Sequence, residues 1–382
     1  MNEIKFYNGD ELAETLKACG MPCAFIQRKA TPATVVYKFK PTAPQYYEER
    51  NAKKAAARLS LILGDAITFS PAAGGFALFI DRPQTFPPFA DFAPLLKDYN
   101  GAAAFPLGVD DNNNPRAVRL DDCPHVLIAG ASGSGKTIFL HSFIAALAIF
   151  SRSVQFLLID AKKTEFNSWA GLKTLNRLAA PIVYDADDAA AYLNAAVAEM
   201  EARFSRLQAL GLRDNSRGTF PPLVIVVDEL ADIMLSSKKA VEMPLVRIAQ
   251  KGRAAGVHLV LATQRPTINV VTGLIKANIP MRVCFSVASV RDSVVLLDRK
   301  GGERLRGRGD ALVQLPSGER LHVQAPFFNP AQIAQICPPP LPAQPAPPLP
   351  QSKPNYHAPK NPAKTLFLRR LVNLVKSTLK RV

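Results

Sequence analysis

Gly130-Ala131-Ser132-Gly133-Ser134-Gly135-Lys136-Thr137 matches G-x-x-x-x-G-K-[ST] at every fixed position. It stands between an apolar run at His125–Ala129 and a helix-periodic segment that starts at Lys136. A strand that enters a helix through glycines turns successive backbone N–H groups toward phosphate oxygens and adds the positive end of the helix. The spacing predicts a bound nucleotide, its phosphates cradled by Gly130, Ala131, Ser132, Gly133, Ser134 and Gly135. Two residues take separate tasks: the Lys136 ammonium reaches the β- and γ-phosphates, and the Thr137 hydroxyl ligates Mg²⁺.

Outward from this loop the pattern alternates. Apolar runs at 125–129, 154–159, 223–227, 257–262 and 281–287 are separated by helical periodicity over 136–150, 186–210 and 239–254. Buried runs alternating with helices predict an α/β fold around a mainly parallel sheet covered on both faces. The run Leu223–Val227 delivers Asp228 and Glu229 at its C-terminal end, where open α/β sheets bind ligands. Asp228 suits the Mg²⁺ shell, and Glu229 suits a base that polarises the attacking water. The second carboxylate favours hydrolysis over binding alone; the competing reading is an acidic helix cap. Val257–Ala262 ends in Thr263-Gln264, a polar pair placed to sense the γ-phosphate. Arg247, Lys251 and Arg253 lie on the helix before it. On a monomer they are solvated charges; in a ring, one can reach a neighbour's γ-phosphate as an arginine finger.

The flanks differ from this core. Residues 33–100 read as a small α+β domain, with a strand from Thr34, an Ala/Arg/Lys/Leu-rich helix and two strands split by Gly74-Gly75. Residues 1–32 carry no assigned role, and 101–328 hold the nucleotide-binding domain. Residues 329–363 form a Pro-rich linker, and 364–382 a basic amphipathic helix with Leu368, Leu371, Val372, Val375 and Leu379 on one stripe. The formal charge of +16 is uneven: residues 1–250 balance 27 basic against 26 acidic side chains. Residues 251–300 hold 8 against 2, and residues 351–382 hold 8 against none. Two local excesses of this kind predict two contact surfaces for polyanions. Five scattered cysteines exclude a disulfide framework. The apolar stretch Ile138–Phe150 is shorter than the ~20 residues that cross a bilayer, so a cytoplasmic protein is expected.

Taken in order, these motifs resemble the motor of the FtsK/SpoIIIE family of double-stranded DNA translocases. The stretch Arg247–His258, its continuation LVLATQRP at Leu259–Pro266, and Thr272–Pro280 carry most of the likeness. VVDELADIM at 226–234, LIDAKKTEF at 158–166 and Gly307–Leu312 add to it. The resemblance implies a RecA-like P-loop ATPase that forms a hexameric homo-oligomer and threads double-stranded DNA through its centre. It implies that Lys136 and Thr137 bind ATP and Mg²⁺, that Asp228 and Glu229 serve metal and water, and that Gln264 senses the nucleotide. By the same likeness, Arg253 is the arginine finger, and Arg265 and Lys276 face DNA. Where the family commonly has a Lys and an Arg four apart, this chain has Val290 and Val294; Arg291 and Arg299, close by, are the expected substitute contacts. Neither a multi-span region ahead of the motor nor a C-terminal winged-helix domain is expected, which suits movement of plasmid, phage or integrative-element DNA, as in conjugation. Two other functions share the motifs: a ring ATPase that moves protein in secretion, and an ATP-dependent DNA-binding scaffold. The tail has open readings as a peripheral contact with the membrane's inner face, with DNA or with a partner.

Overall fold

The computed structural model describes residues 7–30, 34–42, 49–63, 67–72, 74–81, 86–151, 153–173 and 175–336. The expected linker beyond 336 and the basic tail at 364–382 lie outside them. The described chain forms two compact units. The first gathers the residues before 88 with Gly108–Arg116 and His322–Gln324; the second holds the rest.

In the first unit, α1 (Gly9–Ala18) opens on Asn8, whose side chain accepts the Asp10 N–H and so satisfies one of the donors a helix start leaves open. Strands β1 (Cys23–Ala30), β2 (Thr34–Pro41), β3 (Ile67–Ala72) and β4 (Gly75–Asp81) form an antiparallel sheet in the order β1-β2-β4-β3. Helix α2 (Glu49–Leu63) separates β2 from β3. Tyr37, Phe39, Phe76, Leu78 and Leu59 fill the core, with Phe39 and Phe76 stacked 5.5 Å apart. Here α1 and β1 fall in the segment given no role from sequence, and β1 is an edge of the sheet. The β-run Phe25–Lys29 alternates polar and apolar residues too weakly to announce a strand.

The second unit carries the predicted strand–helix alternation. In chain order come α3 (Ala93–Lys97), β5 (Ala104–Asp110), β6 (Pro115–Arg119), β7 (His125–Ala129), α4 (Lys136–Phe150) and β8 (Gln155–Ile159). Then follow α5 (Ala186–Ala209), β9 (Leu223–Val227), α6 (Leu230–Ala255), β10 (Val257–Thr263), α7 (Gly273–Asn278) and β11 (Met281–Phe285). The described chain closes with α8 (Val290–Leu297), β12 (Asp310–Gln314), β13 (Arg320–Gln324) and α9 (Ile333–Ile336); the residues of β5, β6 and β13 within 108–116 and 322–324 are counted with the first unit. Six neighbouring strands of the large sheet run β12-β11-β7-β10-β9-β8, all parallel except β12. From β7 the chain goes to the β8 edge, returns through β9 and β10, and then crosses to β11 on β7's other side. That reversal of winding opens a crevice at the C-terminal ends of β7 and its neighbours. Strands β7, β9, β10 and β11 are buried at every position, which is why they read as mainly apolar runs. Residues 330–336, expected as the start of a linker, are helical instead. Ile333 is buried there, and its apolar side chain outweighs the local proline signal.

Three histidines are built into this unit as neutral rings. His125 Nδ1 accepts the Leu259 N–H at 3.1 Å, and His141 Nδ1 accepts the Trp169 indole N–H at 2.9 Å. His258 faces the Pro124 carbonyl through Nδ1 at 3.1 Å. Burial lowers their pKa values from 6.5 to about 3 for His125 and about 4 for His141 and His258; the neighbouring ring of His258 adds to the effect at His125. The unfolded chain therefore binds these protons more readily, and stability present above pH 6.5 is lost as the pH falls toward 4. At about 1.4 kcal/mol per unit, each ring contributes a loss of up to about 2 kcal/mol between pH 6.5 and 5. Urea-unfolding midpoints measured across this range should drop steeply, and a flat profile would contradict the burial argument.

No helix among the described residues is long and apolar enough to cross a membrane.

Candidate nucleotide-hydrolysis site

The loop between β7 and α4 is held from three sides. The Gly130 N–H donates to the Thr263 carbonyl at 3.2 Å, and the Ala131 N–H to the Ser286 carbonyl at 2.8 Å. From a third side, the Arg308 and Gly309 N–H groups donate to the Gly133 and Ser134 carbonyls at 3.2 and 2.7 Å. Two glycines are sterically required. A Cβ on Gly130 would come within 2.4 Å of Ser134 Oγ. Gly135 has φ +106, and a Cβ there would lie 2.3 Å from the Gly309 backbone nitrogen. Gly135→Ala thus forces the loop to relax out of the cradle. At about 1–3 kcal/mol for such strain, ATP affinity should fall about 5- to 150-fold, readable by fluorescent-nucleotide titration.

Lys136 opens α4 and is almost fully buried. Its ammonium donates to the Asp228 backbone carbonyl at 2.8 Å and to Asp228 Oδ1 at 3.2 Å. Asp228 and Glu229 leave β9 at the crevice. Burial raises the Asp228 pKa; Lys136 opposes this, while Asp160 and Glu229 add to it. Glu229 is held more elaborately. Its Oε1 accepts the Thr263 hydroxyl at 2.6 Å, both carboxylate oxygens accept the Gln264 N–H at 3.1 Å, and Oε2 meets Lys162 Nζ at 3.3 Å. It also accepts the Ala231 N–H at 3.4 Å as the N-cap of α6, so the cap reading and the site reading describe one side chain.

The structure brings Lys136, Asp228, Glu229 and the backbone of Gln264 to one place, with Thr137 in the first turn of α4. Arg253 is elsewhere. It lies exposed in the last turn of α6, just before β10. The parallel register sets Leu259 opposite His125 and Thr263 opposite Ala129, so Arg253 is at the far end of the strands from the loop. It lines an open cleft of about 1400 Å³ with Lys251, Glu201, Asn215, Phe220 and His258. Arg265 and Arg291 are exposed. Lys276 was expected as an open basic contact, but its ammonium donates to Asp298 Oδ1 at 2.7 Å, and Arg282 shares that carboxylate at 2.6 Å. The carboxylate 22 positions away neutralises part of its charge.

Several site residues escaped the sequence reading. Asp160, fully buried after β8, accepts the Thr164, Glu165 and Phe166 N–H groups and folds that turn against the site. The turn presents Lys162 to Glu229 and Asp232, and brings Glu165 near Asp228 and Lys136. Burial and then Asp228 raise the Glu165 pKa, against the opposing charge of Lys136. The signal was available, because β8 also ends at the crevice and its LIDAKKTEF run puts polar side chains there.

The residues fit ATP with Mg²⁺. Gly133 also has positive φ, and a Cβ added to it would project into open space, as expected of a backbone cradle. Asp160, Glu165, Asp228 and Glu229 face two ammonium groups, Lys136 and Lys162, an excess of hard, negative oxygen that suits a small divalent cation.

Comparison with known proteins concerns the family and the fold. A model described as the FtsK/SpoIIIE family matches residues 96–220 and 215–268. The chain is 33% identical over 355 residues to the DNA translocase FtsK of Caldanaerobacter subterraneus, covering 88% of this chain and 49% of that one. It is 36% identical over 298 residues to the DNA translocase SftA of Bacillus subtilis, covering 73% and 31%. The chain thus spans about half the length, or less, of these relatives. Among solved structures it resembles the pCW3 conjugation coupling protein TcpA, in its monomer form with ATPγS. The TM-score is 0.62 at 21% identity, over 86% of this chain and 99% of that one. The cytoplasmic domain of the Thermomonospora curvata type VII secretion ATPase EccC gives 0.54 at 22% identity, over 65% and 33%. At these identities the two likenesses establish the P-loop ATPase fold.

Proposed function

The chain belongs to the FtsK/SpoIIIE family, and from that membership we propose that it is an ATP-dependent double-stranded DNA translocase. It works in the cytoplasm as a homo-oligomeric ring, a hexamer, and hydrolyses ATP to move duplex DNA. One observation carries the reading: the carboxylate of Glu229 is hydrogen-bonded to the N–H of Gln264, and the next residue, Arg265, is exposed. One hydrogen bond and one peptide link thereby connect the hydrolytic group to a basic surface side chain.

In this reading the loop from Gly130 to Gly135 and the Lys136 ammonium hold the phosphates, and Glu229 takes a proton from the attacking water. Mg²⁺, held by Thr137 and Asp228, supplies charge neutralisation at the transferred phosphoryl group. Arg253 completes the site of the adjacent subunit, since it lies far from its own. Arg265 and Arg291 meet DNA phosphates, with Lys276 a partly neutralised third. Phosphate contacts read no sequence, so binding is sequence-tolerant and weakens steeply with salt.

The test is ATP turnover with and without linear duplex DNA at low salt. Stimulation by DNA that fades as salt rises is expected; stimulation by polypeptide and not by DNA would replace this reading with a protein pump. Arg265→Ala should lower the DNA-stimulated rate and reduce the log–log salt slope of DNA binding by about 1 per lost contact.

A further inference from the structure

A base that must polarise water has to present a lone pair to it. Glu229 presents very little. A carboxylate has about four acceptor sites. Here Oε1 accepts the Thr263 hydroxyl, the Gln264 N–H and the Ala231 N–H, while Oε2 shares the Gln264 N–H and meets the Lys162 ammonium. Thr263 closes β10, Gln264 begins the segment that leaves it toward Arg265, and Ala231 is in the first turn of α6. Lys162 is different. It comes from the turn after β8, is 40% exposed, and reaches both Glu229 Oε2 at 3.3 Å and Asp232 Oδ2 at 3.8 Å. Partial burial disfavours its charge, but Glu229, Asp232 and Asp228 together outweigh that and hold the ammonium above the usual lysine range. It is therefore a charged, movable group on a fixed carboxylate.

We propose that Lys162 is a positioning residue that restrains Glu229 in the resting state, so that hydrolysis waits until DNA at the Arg265 segment shifts Gln264 and loosens the carboxylate. The inference rests on the translocase reading only for the identity of the trigger. Lys162 touches neither nucleotide nor water in this role. It acts through Glu229, and Asp232 gives its ammonium a second partner to turn to when Glu229 leaves.

The experiment is steady-state ATP turnover by the full chain, with and without linear duplex DNA, for wild type, Lys162→Met and Lys162→Arg. Lys162→Met keeps the stem and removes the charge. Its DNA-free kcat should rise about tenfold with KM for ATP unchanged, a barrier lowered by about 1.4 kcal/mol. Its DNA-saturated kcat should stay close to wild type, so the stimulation ratio collapses, and Lys162→Arg should restore the low resting rate. A merely structural lysine would lower both rates or neither. Lys162→Gln, which also removes the charge, should raise the DNA-free rate in the same direction; it decides the matter should Lys162→Met fail to fold. A DNA-free kcat at or below wild type in the folded variant overturns the proposal. A wild type insensitive to DNA would instead overturn the translocase reading, and a raised resting rate in Lys162→Met would still establish the restraint.

Discussion

Glu229→Gln retains ATP and turns it over about a thousandfold more slowly, within the 10²–10⁴ range that positioned acid–base groups contribute. The amide keeps the length and an oxygen for the Thr263 hydroxyl, so the site is not emptied. What it loses is the ability to take a proton from water. Single-turnover measurements should show ATP bound stoichiometrically and hydrolysed at the reduced rate, with DNA no longer accelerating it. Unchanged turnover would remove Glu229 from the chemistry.

Lys136→Ala has the second large effect, and it has two parts. Phosphate binding is lost with the ammonium. In addition Asp228, 2% exposed, is left as a buried carboxylate whose nearest cation is gone. Breaking a buried pair by deleting one partner costs about 3–5 kcal/mol. For a domain of this size that lowers the melting temperature by about 6–20 °C. The double variant Lys136→Ala/Asp228→Asn removes the uncompensated charge and should recover most of the stability while recovering none of the ATP turnover. Calorimetry of wild type and the two variants separates the parts: a single variant as stable as wild type would mean that water already solvates Asp228.

Legibility in the sequence followed the range of each interaction. The loop 130–137 and the Asp228-Glu229 pair could be read because their chemistry is local: consecutive residues set the backbone path, and a buried strand aims its last side chains at the crevice. The alternation of apolar runs and helical periods placed β7, β9, β10 and β11 for the same reason. Lys162 could not be assigned to Glu229, because that contact depends on β8 lying beside β9, a pairing that no feature within either run specifies. Likewise Lys276 looked like an open basic side chain until the left-handed turn at Asp298 brought a carboxylate to it. Ile333 was obscured by Pro330, since proline signals a break but does not say whether the next apolar residue finds a core.

The Gly307–Gly309 turn that fastens onto the phosphate loop has a consequence for product exchange. A cradle ordered by the fold itself incurs its conformational cost before any nucleotide arrives, so ATP and ADP meet the same preformed surface around their shared phosphates. Selection between fuel and spent product then falls to contacts beyond the loop. Those contacts centre on the Glu229, Lys162 and Gln264 corner and on whatever a neighbouring subunit inserts. An isolated chain should accordingly discriminate poorly between the two nucleotides, and assembly should sharpen the choice.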